Sequence, residues 1–252
     1  MTSEYIESGG RWWGTPPEVL LRDASCLLWD FDGPLCRLFA HHPAREVVVT
    51  LCNELVRLGL PAEAAKWWGS HDPHRILRSG LAREVVAVLE DRTAEEEEEA
   101  ASTAEPTPGA DGFVRMMIEC GRLLAVTTNN APRAVAAYLK AHDLDDCFGS
   151  RIFGRNTSDP HRMKPDPDCL LRAVEALDVA PSECLMIGDS AMDAKAAAAA
   201  GVPFLGYARN EERSRRLQEG ADVPYGVIGM GPLHRAAHEL LLGPRPPRHS
   251  GS

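Results

Sequence analysis

The sequence predicts an α/β fold, a doubly wound and mostly parallel sheet with an α-helical insertion. Two observations predict the sheet. Short apolar runs alternate with helical patterns from Leu123 to Leu242, and a further apolar run, Cys26-Leu-Leu-Trp29, lies well upstream of them. A third observation predicts the insertion, because residues 38–107 between these runs carry helical spacing and are too long for a simple crossover.

The individual elements follow from apolar runs, from helical spacing and from the turn residues between them. In chain order they are strand 26–29, helix 112–120, strand 123–127, helix 131–142, strand 151–153, helix 166–178, strand 184–187, helix 190–200, strand 202–206, helix 210–219, strand 223–228 and helix 231–242.

Residues 38–107 read as helices without a convincing strand. Apolar residues from Val47 to Leu58 recur at helical spacing and end at Gly59, Asp72-Pro73 opens a second helix, and Leu81–Leu89 supplies a third. The predicted division is an α/β core of residues 1–37 and 108–242, a helical insertion of residues 38–107 and a disordered tail of residues 243–252.

Polar residues follow three of the predicted strands. Asp30 and Asp32 come after the first strand, Thr128 and Asn129 after the second, and Asp189 and Asp193 after the run Cys184-Leu-Met-Ile187. The carboxyl ends of parallel strands meet at one edge of a sheet, which is where open α/β sheets bind ligands. Two carboxylates at alternate positions of an extended segment reach the same side.

Four segments resemble the motifs of the haloacid dehalogenase-like superfamily, in the family's order and with compatible spacing, over about Cys26 to Gly229. They are Trp29-Asp-Phe-Asp-Gly33, Thr128-Asn129, Lys164-Pro-Asp-Pro167 and Gly188-Asp-Ser-Ala-Met-Asp193. The resemblance implies that Asp30 is the nucleophile that forms an aspartyl-phosphate and that Asp32 is the general acid and base. Pro34 stands where phosphatases of the family often carry Thr.

The resemblance also assigns the other site residues. Thr128, Asn129 and Gly33 are expected at the phosphate group, and Lys164 is expected to supply positive charge as oxyanion charge develops. Mg²⁺ is the expected cofactor, held by Asp30, by Asp32 through its backbone carbonyl and by Asp189. Asp193 is expected to orient Lys164 or a metal-bound water.

The resemblance implies that the helical insertion, residues 38–107, is an α-helical cap on a catalytic core of residues 1–37 and 108–242. The implied function is a magnesium-dependent phosphatase acting on a small phosphorylated metabolite, with specificity from this cap. Two alternatives stay open: a phosphomutase resembling β-phosphoglucomutase, and a catalytically weak module of the same family that binds a protein or metabolite. Product analysis with a hexose 1-phosphate separates hydrolysis from isomerisation.

The composition argues against some classes of binding partner. The formal charge of -10 argues against generic nucleic-acid binding. Without an apolar run long enough for a membrane span or a secretory signal, we expect no membrane partner and a cytoplasmic location. The seven scattered cysteines favour packed, reduced thiols.

Several polar and aromatic residues have no assigned chemistry. The acidic run Glu95–Glu99 is expected to be a solvated helix face or loop, and Arg155 and Arg162 are expected either to contact substrate or to stay solvated. His71 and His74 are expected to cap a helix or to face the substrate. Trp67-Trp68 is expected to pack between cap helices.

Overall fold

The computed structural model describes residues 10–221 and 223–243 and shows an α/β fold, as predicted. Nine strands and twelve α-helices lie in these residues. The strands are β1 (Trp12–Trp13), β2 (Cys26–Trp29), β3 (Cys36–Arg37), β4 (Glu105–Pro106), β5 (Leu123–Thr127), β6 (Ile152–Phe153), β7 (Cys184–Gly188), β8 (Phe204–Ala208) and β9 (Gly226–Ile228). The helices are α1 (Pro17–Asp23), α2 (Ala44–Arg57), α3 (Pro61–Ala64), α4 (His74–Leu77), α5 (Arg83–Ser102), α6 (Ala110–Glu119), α7 (Pro132–Ala141), α8 (Asp145–Phe148), α9 (Asp168–Leu177), α10 (Ala191–Ala200), α11 (Glu211–Ala221) and α12 (Gly231–Leu242).

Seven strands form one sheet in the order β1-β9-β8-β7-β2-β5-β6. All neighbouring pairs are parallel except β1 with β9. From β2 the chain builds β5 and β6 on one side and then returns to build β7, β8 and β9 on the other. The sheet therefore has its topological switch point beside β2, the place where open α/β sheets bind ligands.

The central strand β2 is buried on both faces, which is why its sequence is a continuous apolar run. Leu27 and Trp29 point into a core that includes side chains of α1, α6, α7 and α12. Cys26 and Leu28 point into a second core that includes side chains of α9, α10 and α11. The helices thus cover both faces of the sheet, as a doubly wound fold requires.

Helices α2 to α5 lie between β2 and β5 and have a separate apolar cluster, built mainly on Val47, Leu51 and Leu55 of α2. Met163, which directly precedes Lys164, belongs to the same cluster. Helix α5 also packs along α7 of the sheet region. The division into core and cap stays a prediction, but these contacts join the helical insertion to the region around Lys164.

Several expectations about the elements need correction. The third inserted helix runs from Arg83 to Ser102, well past the predicted end, and the second covers only His74–Leu77. The insertion also contains β4, which pairs with β3, although no strand was predicted there. Apart from Gly243, the predicted tail lies outside the described residues.

Among the described residues, no helix is both long enough and apolar enough to cross a membrane. The seven cysteines are all free, and only Cys120 is less than fully buried. Trp67 packs against the apolar cluster of the insertion, as predicted, whereas Trp68 is exposed.

Candidate active site

Three neighbouring strands end together and position the candidate site. Trp29 of β2 is level with Val126 of β5 and Ile187 of β7. The backbone N–H of Asp30 then donates to the Ile187 carbonyl at 2.9 Å. The register therefore brings residues that follow the three strands to one edge of the sheet.

Lys164 lies at the centre of this edge with its side chain buried. Its Nζ donates to Asp30 Oδ1 at 2.8 Å, to Asp193 Oδ1 at 2.5 Å and to the Thr127 carbonyl at 3.0 Å. Burial alone would lower the pKa of Lys164, but the charges of Asp193 and Asp30 raise it above its usual value. The ammonium group stays protonated and holds two carboxylates together.

Asp193 is fixed by the start of α10. Its Oδ2 accepts hydrogen bonds from the Ser190 backbone N–H at 3.1 Å and from the Ser190 hydroxyl at 2.6 Å. The Ser190 hydroxyl in turn accepts from the Asp193 N–H at 3.2 Å, which completes a capping box. One oxygen of Asp193 thus accepts hydrogen bonds from Ser190 at the start of α10, and the other accepts a hydrogen bond from Lys164. This geometry suits the predicted role of orienting Lys164.

The donor set at this edge suits a hard divalent cation. Carboxylate oxygens of Asp30, Asp189 and Asp193 lie within 4.8 Å of one another. Mg²⁺ prefers such oxygens and is commonly held by one or two protein carboxylates. Asp32 was also predicted as a metal residue, but its carboxylate is outside this group and accepts from the Leu38 N–H at 2.9 Å. Any contact of Asp32 with the metal through its backbone carbonyl stays a prediction.

The buried carboxylates at this edge hold protons more tightly than exposed ones do. Burial raises the pKa of Asp30 to about 7, with the charge of Asp193 adding to the rise and Lys164 opposing it. Burial raises the pKa of Asp32 to about 6, and the hydrogen bond from Leu38 opposes it. The pKa of Asp189 is also well above its usual value because of burial and the charge of Asp193. A bound cation would offset this crowding of negative charge.

Gly33 permits the close approach of two of these segments. Its φ is +134°, and an added Cβ would lie 2.4 Å from Asp189 Cγ. Its carbonyl accepts from the Thr107 hydroxyl at 2.8 Å. The Asp189 carboxylate therefore rests against the turn after Asp32 only because residue 33 has no side chain.

Thr128 and Asn129 follow β5 and were predicted to bind a phosphate oxygen, which stays a prediction. The buried Thr128 hydroxyl lies 3.0 Å from Asn130 Oδ1. Asn129 Oδ1 accepts from the Lys164 N–H at 2.6 Å, and its amide donates to the Lys164 carbonyl at 3.2 Å. The Asn129 side chain thus also holds the Lys164 backbone in place through these two hydrogen bonds.

Glu97 is the main residue near the site that the sequence reasoning missed. Its carboxylate is fully buried and accepts from Arg155 Nη1 at 2.6 Å, from the Asn130 amide at 3.0 Å and from the Ala131 N–H at 2.8 Å. His74 Nε2 lies 2.9 Å from the same carboxylate.

The expectation of a solvated acidic run is therefore wrong for Glu96 and Glu97, which are both buried. Glu97 lies on the same buried face of α5 as Thr93 and Ala100. The ion pair with Arg155 offsets the free-energy cost of burying the Glu97 charge. The helical spacing of these positions was the available signal.

The expectation that Arg155 is solvated is wrong, and its side chain is not among those that line the cavity beside Asp32 and Asp189. The alternative of a substrate contact stays a prediction. The Arg155 side chain is fully buried and donates to Glu97 and, from Nε, to Glu90 at 2.6 Å. Arg162 is half exposed and donates to Asp168 Oδ1 at 2.9 Å.

A cavity of about 400 Å³ opens beside the carboxylates. Asp32, Gly33 and Asp189 line one part of it, whereas Asp30 and Lys164 are buried and are not among its lining residues. Arg37, Arg209 and Arg213 also line it, and the sequence reasoning had given them no role. Arg209 directly follows β8, so its place at the carboxyl end of a parallel strand was the signal that could have found it.

A sequence model described as haloacid dehalogenase-like hydrolase matches residues 25–201. A phosphoglycolate phosphatase of Escherichia coli K12 is 40% identical over 110 residues, which are 43% of this chain and 42% of that protein. The chain thus spans about two fifths of this relative.

A further relative and two solved structures match over longer spans. The phosphoglycolate phosphatase of Pseudomonas putida is 29% identical over 214 residues, 80% of this chain and 75% of that protein. A crystal structure titled as a predicted phosphatase from Clostridium acetobutylicum has a TM-score of 0.63 at 19% identity and covers 86% of this chain and 99% of that one. A putative haloacid dehalogenase-like hydrolase from Bacteroides fragilis has a TM-score of 0.57 at 24% identity and covers 78% and 93%. These structures show a common fold.

Proposed function

Since the chain belongs to the haloacid dehalogenase-like hydrolase family, we propose that it is a magnesium-dependent phosphatase that hydrolyses a small phosphomonoester through an aspartyl-phosphate. The observation that carries this proposal is the grouping of Asp30, Asp189 and Asp193 within 4.8 Å, with Lys164 donating to two of them. The proposed nucleophile, the proposed cation ligands and a buried positive charge thus lie together at the carboxyl ends of the strands.

Asp30 is the nucleophile of the proposed reaction. A carboxylate oxygen of Asp30 attacks phosphorus, and the bond between phosphorus and the leaving alcohol oxygen breaks. Lys164 stays charged and stabilises the negative charge that develops on the phosphoryl oxygens. Asp30 and Asp189 would hold Mg²⁺, which would supply further positive charge to the phosphoryl group.

Asp32 transfers the protons of both half-reactions. It lines the cavity with a pKa near 6, so it exchanges protons close to neutral pH. In the first step it gives its proton to the departing alkoxide. In the second it takes a proton from water, whose oxygen attacks phosphorus, and the bond to Asp30 breaks to release phosphate.

The chain's relatives support a small substrate. Proteins named phosphoglycolate phosphatase are 38% to 40% identical to it over about two fifths of their lengths. We extend to this chain only the class of a small phosphomonoester. Residues 38–107 are proposed to act as the cap that senses the rest of that substrate and excludes bulk water.

Hydrolysis of p-nitrophenyl phosphate by the purified chain tests the proposal. We expect turnover that needs Mg²⁺, stops with excess chelator and is lost in folded Asp30→Asn, because an amide does not attack phosphorus. Substantial turnover by Asp30→Asn would remove Asp30 from the nucleophile role.

With glucose 1-phosphate, phosphate release supports the phosphatase, whereas conversion to an isomer supports the phosphomutase. Absence of turnover from every phosphomonoester supports the binding module.

A further inference from the structure

The cavity beside the reactive carboxylates carries positive charge that the phosphoryl chemistry leaves unused. Arg37, Arg209 and Arg213 line it together with Asp32 and Asp189. Arg209 follows β8 and Arg213 lies in the first turn of α11, so both come from the sheet region and neither comes from the helical insertion. In a chain with a formal charge of -10, three arginines around one cavity are a local concentration of positive charge.

These arginines differ in their partners. Arg37 forms an ion pair with Glu105. The side chains of Arg209 and Arg213 make no hydrogen bond and no ion pair with any residue of the ranges 10–221 and 223–243. Their donors are therefore available to a ligand in the cavity.

Arg216, on the same helix as Arg213, shows the contrast. Arg209, Arg213 and Arg216 are all exposed. Arg216, however, pairs with Glu212 four residues earlier, the usual arrangement on a solvated helix surface. It is not among the residues that line the cavity.

Both unpaired guanidinium groups lie within electrostatic reach of the reaction centre. The charge of Arg209 partly opposes the burial that raises the pKa of Asp32, and the charge of Arg213 does the same for Asp189. Neither guanidinium approaches these carboxylates closely enough for an ion pair. A substrate placed at Asp32 would thus carry its remaining groups beside two free, charged donors.

We propose that Arg209 and Arg213 form a subsite for a second anionic group of the substrate, so that the substrate class is a small phosphomonoester that also carries a carboxylate or a second phosphate. This assignment rests on the proposed phosphatase function. Guanidinium groups match the planar carboxylate and the phosphate through paired N–H donors. The volume of about 400 Å³ suits a small metabolite.

Paired substrates that differ by one anionic group test the subsite. The first pair is 2-phosphoglycolate and 2-hydroxyethyl phosphate, and the second is glucose 1,6-bisphosphate and glucose 1-phosphate. The measurement is the ratio of kcat/KM within each pair for the wild type, Arg209→Gln, Arg213→Gln and the matched control Arg216→Gln. The pair whose ratio depends on the arginines identifies the second group as a carboxylate or a phosphate.

We expect the wild type to prefer the substrate with two anionic groups in one pair. Arg209→Gln and Arg213→Gln should each lower that ratio by roughly 10-fold or more, as loss of a hydrogen bond to a charged group does. Arg216→Gln should leave the ratio unchanged, and Arg209→Lys should restore part of it because the charge returns without the paired donors. Raising the salt concentration should lower the wild-type ratio, since the site is open to solvent.

Ratios that stay the same in Arg209→Gln and Arg213→Gln, or a wild type that does not discriminate within either pair, would overturn the subsite while leaving the phosphatase proposal intact. If the wild type hydrolyses none of the four esters, binding decides the question instead. Calorimetry with phosphonoacetate and methylphosphonate then supports the subsite only if Arg209→Gln selectively weakens binding of phosphonoacetate. Equal affinities of wild type and variant would overturn it.

Discussion

Arg155 donates from Nη1 to the Glu97 carboxylate at 2.6 Å, and both side chains are fully buried. Glu97 belongs to α5 of the insertion, whereas Arg155 follows β6 of the sheet. The same carboxylate accepts from Asn130 and from the Ala131 N–H in the loop after β5. One buried ion pair thus fixes the inserted helix to the loop that also carries the predicted phosphate-binding residues.

Glu97→Gln should destabilise the protein strongly. It removes the main counter-charge of Arg155, which stays buried, and breaking a buried ion pair from one side typically costs about 3–5 kcal/mol. The measurement is the free energy of unfolding in urea at neutral pH. Glu95→Gln is the matched control, because Glu95 lies on the same helix, is exposed and, among the described residues, forms an ion pair only with Arg92. We expect the control to change stability by less than about 1 kcal/mol, and equal losses in both variants would contradict the role given to the buried pair.

The contribution of Glu97 to stability should depend on pH in acid. Burial alone would raise the pKa of Glu97, but Arg155 and His74 outweigh it and lower the pKa from the usual 4.5 to about 2. A carboxyl with a lowered pKa in the folded state stabilises the protein above its unfolded pKa and loses that effect as it is protonated. The stability difference between wild type and Glu97→Gln should therefore be largest above pH 4.5 and shrink as the pH falls towards 2.

Urea unfolding of both proteins at a series of pH values measures this difference directly. Comparing the two proteins removes the contribution of groups that titrate alike in both. A difference that stays constant from neutral pH to the acid end of the series would show that Glu97 has an ordinary pKa in the folded protein.

The central elements were predictable because local signals specify them. Strands β2 and β5 begin and end at the predicted residues, since each is an apolar run bounded by polar or turn residues. Strand β8 begins two residues later than predicted, at Phe204. Pro203 precedes it and has no N–H to donate to a neighbouring strand, which the apolar pattern did not register.

The features that could not be predicted depend on contacts between residues far apart in the sequence. Strand β1 consists of only Trp12 and Trp13 and pairs with β9, which lies far along the chain. Two residues are too few to show the alternating pattern that predicts a strand. The burial of Glu97 likewise depends on Arg155, which comes from another part of the sequence. Asp30 and Asp189 could be placed at the sheet edge from sequence because each directly follows a strand. The hydrogen bonds of Asn129 to Lys164 depend instead on how two loops meet.

Gly33→Ala should impair magnesium binding while the fold remains. The new Cβ would lie 2.4 Å from Asp189 Cγ, so the predicted metal ligand must move away. We expect the magnesium concentration for half-maximal turnover to rise by roughly 10-fold or more, as for loss of one charged interaction.

Gly69→Ala is the control for backbone strain. Gly69 has a φ of +127°, close to that of Gly33, but an added Cβ there would meet no atom within 4 Å. Both substitutions therefore strain the backbone, and only one displaces Asp189. If Gly69→Ala and Gly33→Ala raise the magnesium requirement equally, the effect comes from strain or lost stability and the packing of Gly33 against Asp189 has no special importance.

Asp32→Asn should slow turnover in a way that depends on the leaving group. The amide cannot protonate a departing alkoxide, and general acid–base catalysis typically contributes roughly 10²- to 10⁴-fold. Alkyl phosphates need that proton because the alkoxide is a poor leaving group, whereas p-nitrophenolate leaves readily without it. We therefore expect the single-turnover rate with an alkyl phosphate to fall much further than the single-turnover rate with p-nitrophenyl phosphate. Single turnovers are measured because the second half-reaction does not contribute to them.

The substituted Asn retains an oxygen that can accept from the Leu38 N–H, so the loop after Gly33 should keep its conformation. Equal losses for the two esters in single turnovers would show that Asp32 acts by another means than leaving-group protonation.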